Sequence, residues 1–177
     1  MKNATRYMLG MLLAGFLTIT CSQQTLKGDV MSIWYEGTIE FSCDFKEIQS
    51  AFENVGETYF EIVKLMPGLS SVELVEQGSD YVIIKTNEGL MRRTNIRIDF
   101  DMEQVLVEYD EEYQAGKMLT TTSHFQEEFK TNSDGIIFKM IISDLKAPGF
   151  MGFFYRNFGS SNTGSAFLTA WKTYFEK

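Results

Sequence analysis

Cysteine, proline and histidine are all scarce in this 177-residue chain: two, two and one, respectively. Cys21 and Cys43 cannot build the disulfide framework that staples small secreted domains. With His124 the lone histidine, no Cys/His cluster has metal-ligand spacing, so neither a metal nor another cofactor is expected. Pro67 and Pro148 are too few for a proline-rich linker. Bases are short as well, 16 Lys and Arg against 24 Asp and Glu, for a formal charge of −8. Nucleic-acid binding rests on neutralising phosphates, so no nucleic-acid partner is expected. No apolar run reaches the roughly 20 residues that span a bilayer.

What the chain does have is an ordinary globular composition, 44% apolar and 23% charged, enough for one domain with a real core. Its first residues stand apart. Lys2 and Arg6 precede an uncharged, mostly apolar run, Tyr7 to Thr20, that ends at Cys21. This is the layout of a secretory signal. The segment LTITC resembles a bacterial lipoprotein signal, in which the cysteine is acylated and becomes the new N-terminus. Thr18 and Thr20 stand where such signals usually carry Leu and a small residue. Cleavage after Ser22 and an uncleaved anchor are the alternatives. The expected division is therefore signal 1–21 with Cys21 lipidated, tether 22–30 and domain 31–177. The expected location is the cell envelope, lipid-anchored, with a soluble periplasmic or secreted form as the alternative. Loss of Lys2 and Arg6 leaves the remainder near −10, which an anionic bilayer would repel.

Beyond residue 30 the hydrophobic period is mostly two. Residues 31–42 alternate Ile33, Tyr35, Ile39 and Phe41 against Trp34, Glu36, Thr38 and Glu40, predicting a strand with one wet face. Asp44, with Glu47 three residues on, predicts a capped helix carrying Phe45, Ile48 and Phe52. After Gly56, Tyr59, Ile62, Val63 and Met66 predict a second helix that stops at Pro67-Gly68. Six strands follow, near 70–77, 80–87, 90–101, 103–113, 117–131 and 135–145, joined by short turns that favour antiparallel neighbours. Alternation points Val82, Ile84, Ile96, Ile98, Phe100, Val105, Val107, Tyr109, Phe125, Phe129, Phe138, Met140 and Ile142 inward. It points Arg93, Arg97, Glu108, Asp110 and Lys139 outward. The paired acids Asp110-Glu111-Glu112 and Glu127-Glu128 read as solvated, and His124 as a surface histidine. Cys43 reads as a small buried thiol.

Residues 149–176, GFMGFFYRNFGSSNTGSAFLTAWKTYFE, predict one helix of about 42 Å, kinked near Gly159. One stripe gathers Phe150, Phe153, Phe154, Phe158, Ser161, Gly164, Ser165, Leu168, Trp171 and Phe175, bulky at both ends and small in the middle. No G-x-S-x-G is present, the serines of GSSNTGS have no base nearby, and no G-K-S/T follows its glycines. No catalytic residue is assigned.

The order strand, two helices, six strands and long helix resembles the helix-grip fold of the START-like, SRPBCC superfamily. The matching pieces are EFSCDFKEIQSAF, KLMPGLSSVEL, and LKAPGFMGFF with AFLTAWKTYFEK. In that superfamily a proline usually precedes the first helix; here Cys43-Asp44 stands in its place. The resemblance implies an α+β fold, a curved antiparallel sheet of about seven strands wrapped around the C-terminal helix. It also implies an internal cavity for a lipid or other hydrophobic small molecule. The expected wall is Tyr35, Thr86, Tyr109, Phe138, Met140, Phe154, Phe158, Ser161, Gly164, Ser165 and Leu168. The protein is expected to be a monomeric binding protein, not an enzyme. A cyclase- or dehydrase-like enzyme using the same cavity, and an envelope interaction protein without a ligand, are the alternatives.

Overall fold

The computed structural model describes residues Met31–Glu176; the expected signal, the tether and Cys21 lie outside them. Strand β1 spans Ile33–Phe41, and helices α1 (Phe45–Ala51) and α2 (Val55–Lys64) follow, joined by the 3₁₀ turn Phe52–Asn54. The Asp44 carboxylate accepts from the Lys46 amide at 2.9 Å, satisfying one of the donors that a helix start leaves free. Asn54 caps α2, which buries Tyr59, Ile62 and Val63 and gives out just before Pro67-Gly68. Six strands come next: β2 (Val72–Gln77), β3 (Val82–Thr86), β4 (Leu90–Phe100), β5 (Gln104–Ala115), β6 (Leu119–Thr131) and β7 (Ile136–Lys146). All pair antiparallel in the order β1-β7-β6-β5-β4-β3-β2.

The closing segment forms α3 (Gly149–Phe158) and α4 (Ser160–Phe175), with a bend at Gly159 between them. The helical hydrogen bonds cross the bend: the Gly159 amide donates to Tyr155 and the Thr163 amide to Gly159. The chain is therefore kinked rather than broken. Against the inner sheet face, α4 buries Gly164, Phe167, Leu168, Ala170 and Trp171. Aromatic rings fill the core there, with Phe129 stacked on Phe138 at 4.5 Å and Trp171 edge-to-face on Phe129 at 5.1 Å between ring centroids.

Two bulges correct the expected inside and outside. In β4 the register shifts between Thr94 and Arg97, where Asn95 takes a positive φ of 57°. A bulge inserts an extra residue, so the alternation on its two sides is out of step. Ile96 stays inward as expected, but Met91 and Arg93 are inward too, and Arg93 is fully buried rather than outward. Phe100, expected inward, is half-exposed where β4 ends at the β4–β5 hairpin. In β1 a shift between Ile33 and Tyr35 turns Ile33 outward and brings Trp34 onto Tyr155 at 5.1 Å. Glu111 and Glu127 are also buried, not solvated. Each continues the inward alternation of its own strand, Tyr109 to Glu111 in β5 and Phe125 to Glu127 to Phe129 in β6. The period that predicted the phenylalanines predicts these acids as well.

Candidate functional site

Where the kinked helix faces the sheet there is a cleft of about 240 Å³. Met66, Pro67 and Leu69 of the α2–β2 turn form one wall, and Tyr155 of α3 with Asn162, Thr163 and Ala166 of α4 form another. Thr86 and Glu88 of the β3–β4 hairpin lie at its edge, and Glu111 and Tyr113 of β5 line its sheet side. The side chain of Asn87 ties the hairpin to the turn by accepting from the Ser70 and Ser71 amides at 2.9 and 3.3 Å. Across the kink, the hydroxyls of Tyr155 and Thr163 are 3.2 Å apart. The Tyr155 phenol is pushed up to about 12, chiefly by burial, so at neutral pH it is a neutral hydrogen-bonding group.

Glu111 connects the cleft to a buried polar cluster. Its carboxylate accepts from Nε of Arg93 at 3.0 Å. The Arg93 guanidinium is boxed by aromatic rings, with Tyr59 at 4.3 Å, Tyr109 at 4.8 Å and Phe167 at 5.2 Å. Its Nη1 and Nη2 have no hydrogen-bond partner among the described residues, so the ring faces are their principal surroundings. Glu127 lies on the same inner face and accepts from Tyr59 at 2.8 Å, Tyr109 at 3.0 Å and Trp171 at 3.4 Å. Burial raises the carboxyl groups of both Glu111 and Glu127, outweighing the pull of Arg93 in the other direction. Burial opposes the charge on Arg93, yet the surrounding phenols and acids more than offset it and hold the guanidinium protonated.

Among the expected wall residues, Thr86 lines this cleft, but its hydroxyl is committed to the hairpin, accepting from the Glu88 and Gly89 amides at 3.1 Å. Tyr109, Phe138 and Met140 are buried in the packed core beneath. Tyr35, Gly164 and Leu168 do come together: a Cβ at Gly164 would overlap the Tyr35 ring, and one at Gly37 would lie 2.8 Å from Leu168 Cδ1. The small middle of the helix therefore receives a tyrosine ring. Ser161 and Ser165 face solvent, as do Phe154 and Phe158. Arg93, Glu111, Glu127, Tyr113 and Tyr155 were not singled out as site residues. Strand alternation from Tyr109 and Phe125 was the signal that could have found the two acids. His124 sits on the outer sheet face with Nδ1 3.0 Å from Asp110, away from the cleft.

The cleft offers apolar walls with acceptors at its sheet side and rim. Such a place suits a small apolar group that ends in a hydrogen-bond donor.

No family model matches the chain, and no curated protein matches it. Solved structures do. A conserved protein of Geobacillus kaustophilus is similar over 79% of this chain and 93% of its own, at 14% identity and a TM-score of 0.53. A hypothetical protein of Helicobacter pylori is similar over 98% of this chain and 100% of its own, at 10% identity and a TM-score of 0.52. The lipid transfer and protein localization domain of human StarD13 is similar over 80% of this chain and 76% of its own, at 10% identity and a TM-score of 0.50. At these identities the likeness concerns fold. With the seven-stranded antiparallel sheet closed by a C-terminal helix, it shows the helix-grip fold.

Proposed function

We propose that the protein is an exported, membrane-tethered binding protein that holds a hydrophobic small molecule, or one end of a lipid, in the cleft at the helix kink. One observation carries this reading: the cleft lies between the helix and the sheet's inner side, and Glu111, with Arg93 behind it, supplies a fixed polar contact. At about 240 Å³ it is smaller than the roughly 300–1,000 Å³ of pockets for drug-sized ligands. A compact molecule, or only the end of a longer one, matches that volume. The deeper space between sheet and α4 is filled by Tyr59, Phe129, Phe138 and Trp171, so the binding volume sits at the kink and not along the whole helix. The lipid transfer domain of StarD13 shares the fold and is consistent with this reading. Export and tethering rest on the signal-like N-terminus and Cys21.

Native mass spectrometry of the purified chain, with organic extraction, is expected to show a copurified hydrophobic molecule. Ala166→Phe, which fills the cleft from α4, is expected to lose that mass while keeping the melting temperature within a few degrees. A chain that never carries such a molecule, or an Ala166→Phe variant that retains it undiminished, would contradict the reading. Incorporation of radiolabelled palmitate, lost in Cys21→Ala, tests the tether separately.

A further inference from the structure

The outer face of α3 exposes four phenylalanines, with Phe150 75%, Phe158 71%, Phe153 51% and Phe154 45% accessible. They form one surface, because Phe154 contacts Phe150 at 4.9 Å, Phe153 at 5.6 Å and Phe158 at 6.2 Å between centroids. Met151 extends it. Contiguous apolar patches of this kind mark interaction surfaces on folded proteins.

We propose that α3 is a bilayer-docking face whose phenylalanines enter the interface of a zwitterionic membrane while the sheet stays in water. Where the described chain begins is the first reason. Trp34 stacks on Tyr155 of α3, and its Nε1 donates to the Arg156 carbonyl at 2.8 Å. The start of β1 therefore lies alongside this helix. Cys21 is ten residues before Met31, and a chain reaches at most about 3.6 Å per residue, so a lipid on Cys21 is held within about 36 Å of Met31. Charge is the second reason. In a chain with 24 acids, GFMGFFYRNF contains none, and its one base, Arg156, turns back to donate to the Ala147 carbonyl. The face is neutral and aromatic within an acidic molecule, which matches zwitterionic headgroups and not anionic ones. At ten residues α3 is about 15 Å long, and no helix among the described residues is long and apolar enough to cross a membrane. It lies in the interface instead of spanning it.

The proximity argument rests on the tether proposed above, and the test separates the two. Phe154→Trp in the full chain is mixed with phosphatidylcholine vesicles carrying brominated acyl chains, with the unsubstituted chain as background for Trp34 and Trp171. At an insertion depth of about 5–10 Å the tryptophan at 154 is expected to lose about half its emission. Admixture of phosphatidylserine is expected to reduce that loss. Adding Phe150→Ser, Phe153→Ser and Phe158→Ser is expected to abolish the quenching with circular dichroism unchanged. Vesicle-bound protein whose tryptophan at 154 is quenched no more than the background would overturn the proposal while leaving the tether standing. So would a lipid-free dimer or a protein complex that the same serine substitutions dissociate, because either assigns the face to protein. Failure of Cys21→Ala to change palmitate incorporation, with quenching intact, would remove the tether alone.

Discussion

Arg93 holds a positive charge in a place where water cannot help it, so its neighbours decide what it costs. One carboxylate contacts it directly, and aromatic faces supply much of the rest. Removing one member of a buried charged group leaves the others uncompensated, typically at about 3–5 kcal/mol. Arg93→Met is expected to lose stability of that order in urea denaturation, and Arg93→Met/Glu111→Gln to recover part of it. Independent, additive losses would show that the pair is not coupled. Glu111 and Glu127 also set a pH dependence. Their folded-state pKa values are raised above the ordinary 4.5, so their contribution to stability is full below 4.5 and is lost as pH rises through the folded values. Asp110 and Glu176 act oppositely: their lowered values give stability at neutral pH that is lost only in stronger acid. Stability is therefore expected to rise as pH falls through the folded values of Glu111 and Glu127 toward 4.5, and Glu127→Gln to flatten that rise. An identical pH profile in the variant would count against the assignment. At this scale the sequence was only partly legible. Glu111 and Glu127 were expected to be solvated although the alternation running from Tyr109 and Phe125 carries them inward, and a bulge whose marker is the positive φ of Asn95 was needed to turn Arg93 inward.

Elements were far more legible than contacts. Period-two runs located the strands, and Asp44 and Pro67-Gly68 bounded the helical pair, because these signals are local. The bend at Gly159 was also legible, as a glycine inside an otherwise helical pattern. What the small middle of the helix accommodates was not, since the answer comes from a strand more than a hundred residues away. Gly37 in β1 and Gly164 in α4 make room for the Tyr35 ring. Ala is the better helix former by about 1 kcal/mol, yet Gly164→Ala would press its methyl into that ring. Overpacking of this kind costs about 1–3 kcal/mol. The variant is therefore expected to be less stable, and Tyr35→Ala/Gly164→Ala to lose less than the two single losses combined. A simple gain in stability in Gly164→Ala would show that the ring moves aside freely.

The whole molecule is arranged so that its first and second strands occupy opposite edges of one sheet, with β1 paired to β7 along Ile33 to Phe41. The cleft inherits the same long-range character. Its residues come from the α2–β2 turn, the β3–β4 hairpin, β5, α3 and α4, and Thr86 alone among them was expected from sequence as a wall residue. No local pattern marks residues that meet only after the sheet curves and the helix is laid across it. Contacts of such wide separation make folding slow, since loop closure precedes the contacts that reward it. Pulsed amide exchange during refolding is expected to show β1 gaining protection together with β7 and not before it. Early protection of β1 alone would require a partner other than the one in the native sheet. The pairing of β1 with β7 also bears on transport. Delivered amino end first along the export route proposed above, this chain carries β1 without its partner until residues 136–146 arrive, so that edge of the sheet cannot close until most of the described length has emerged.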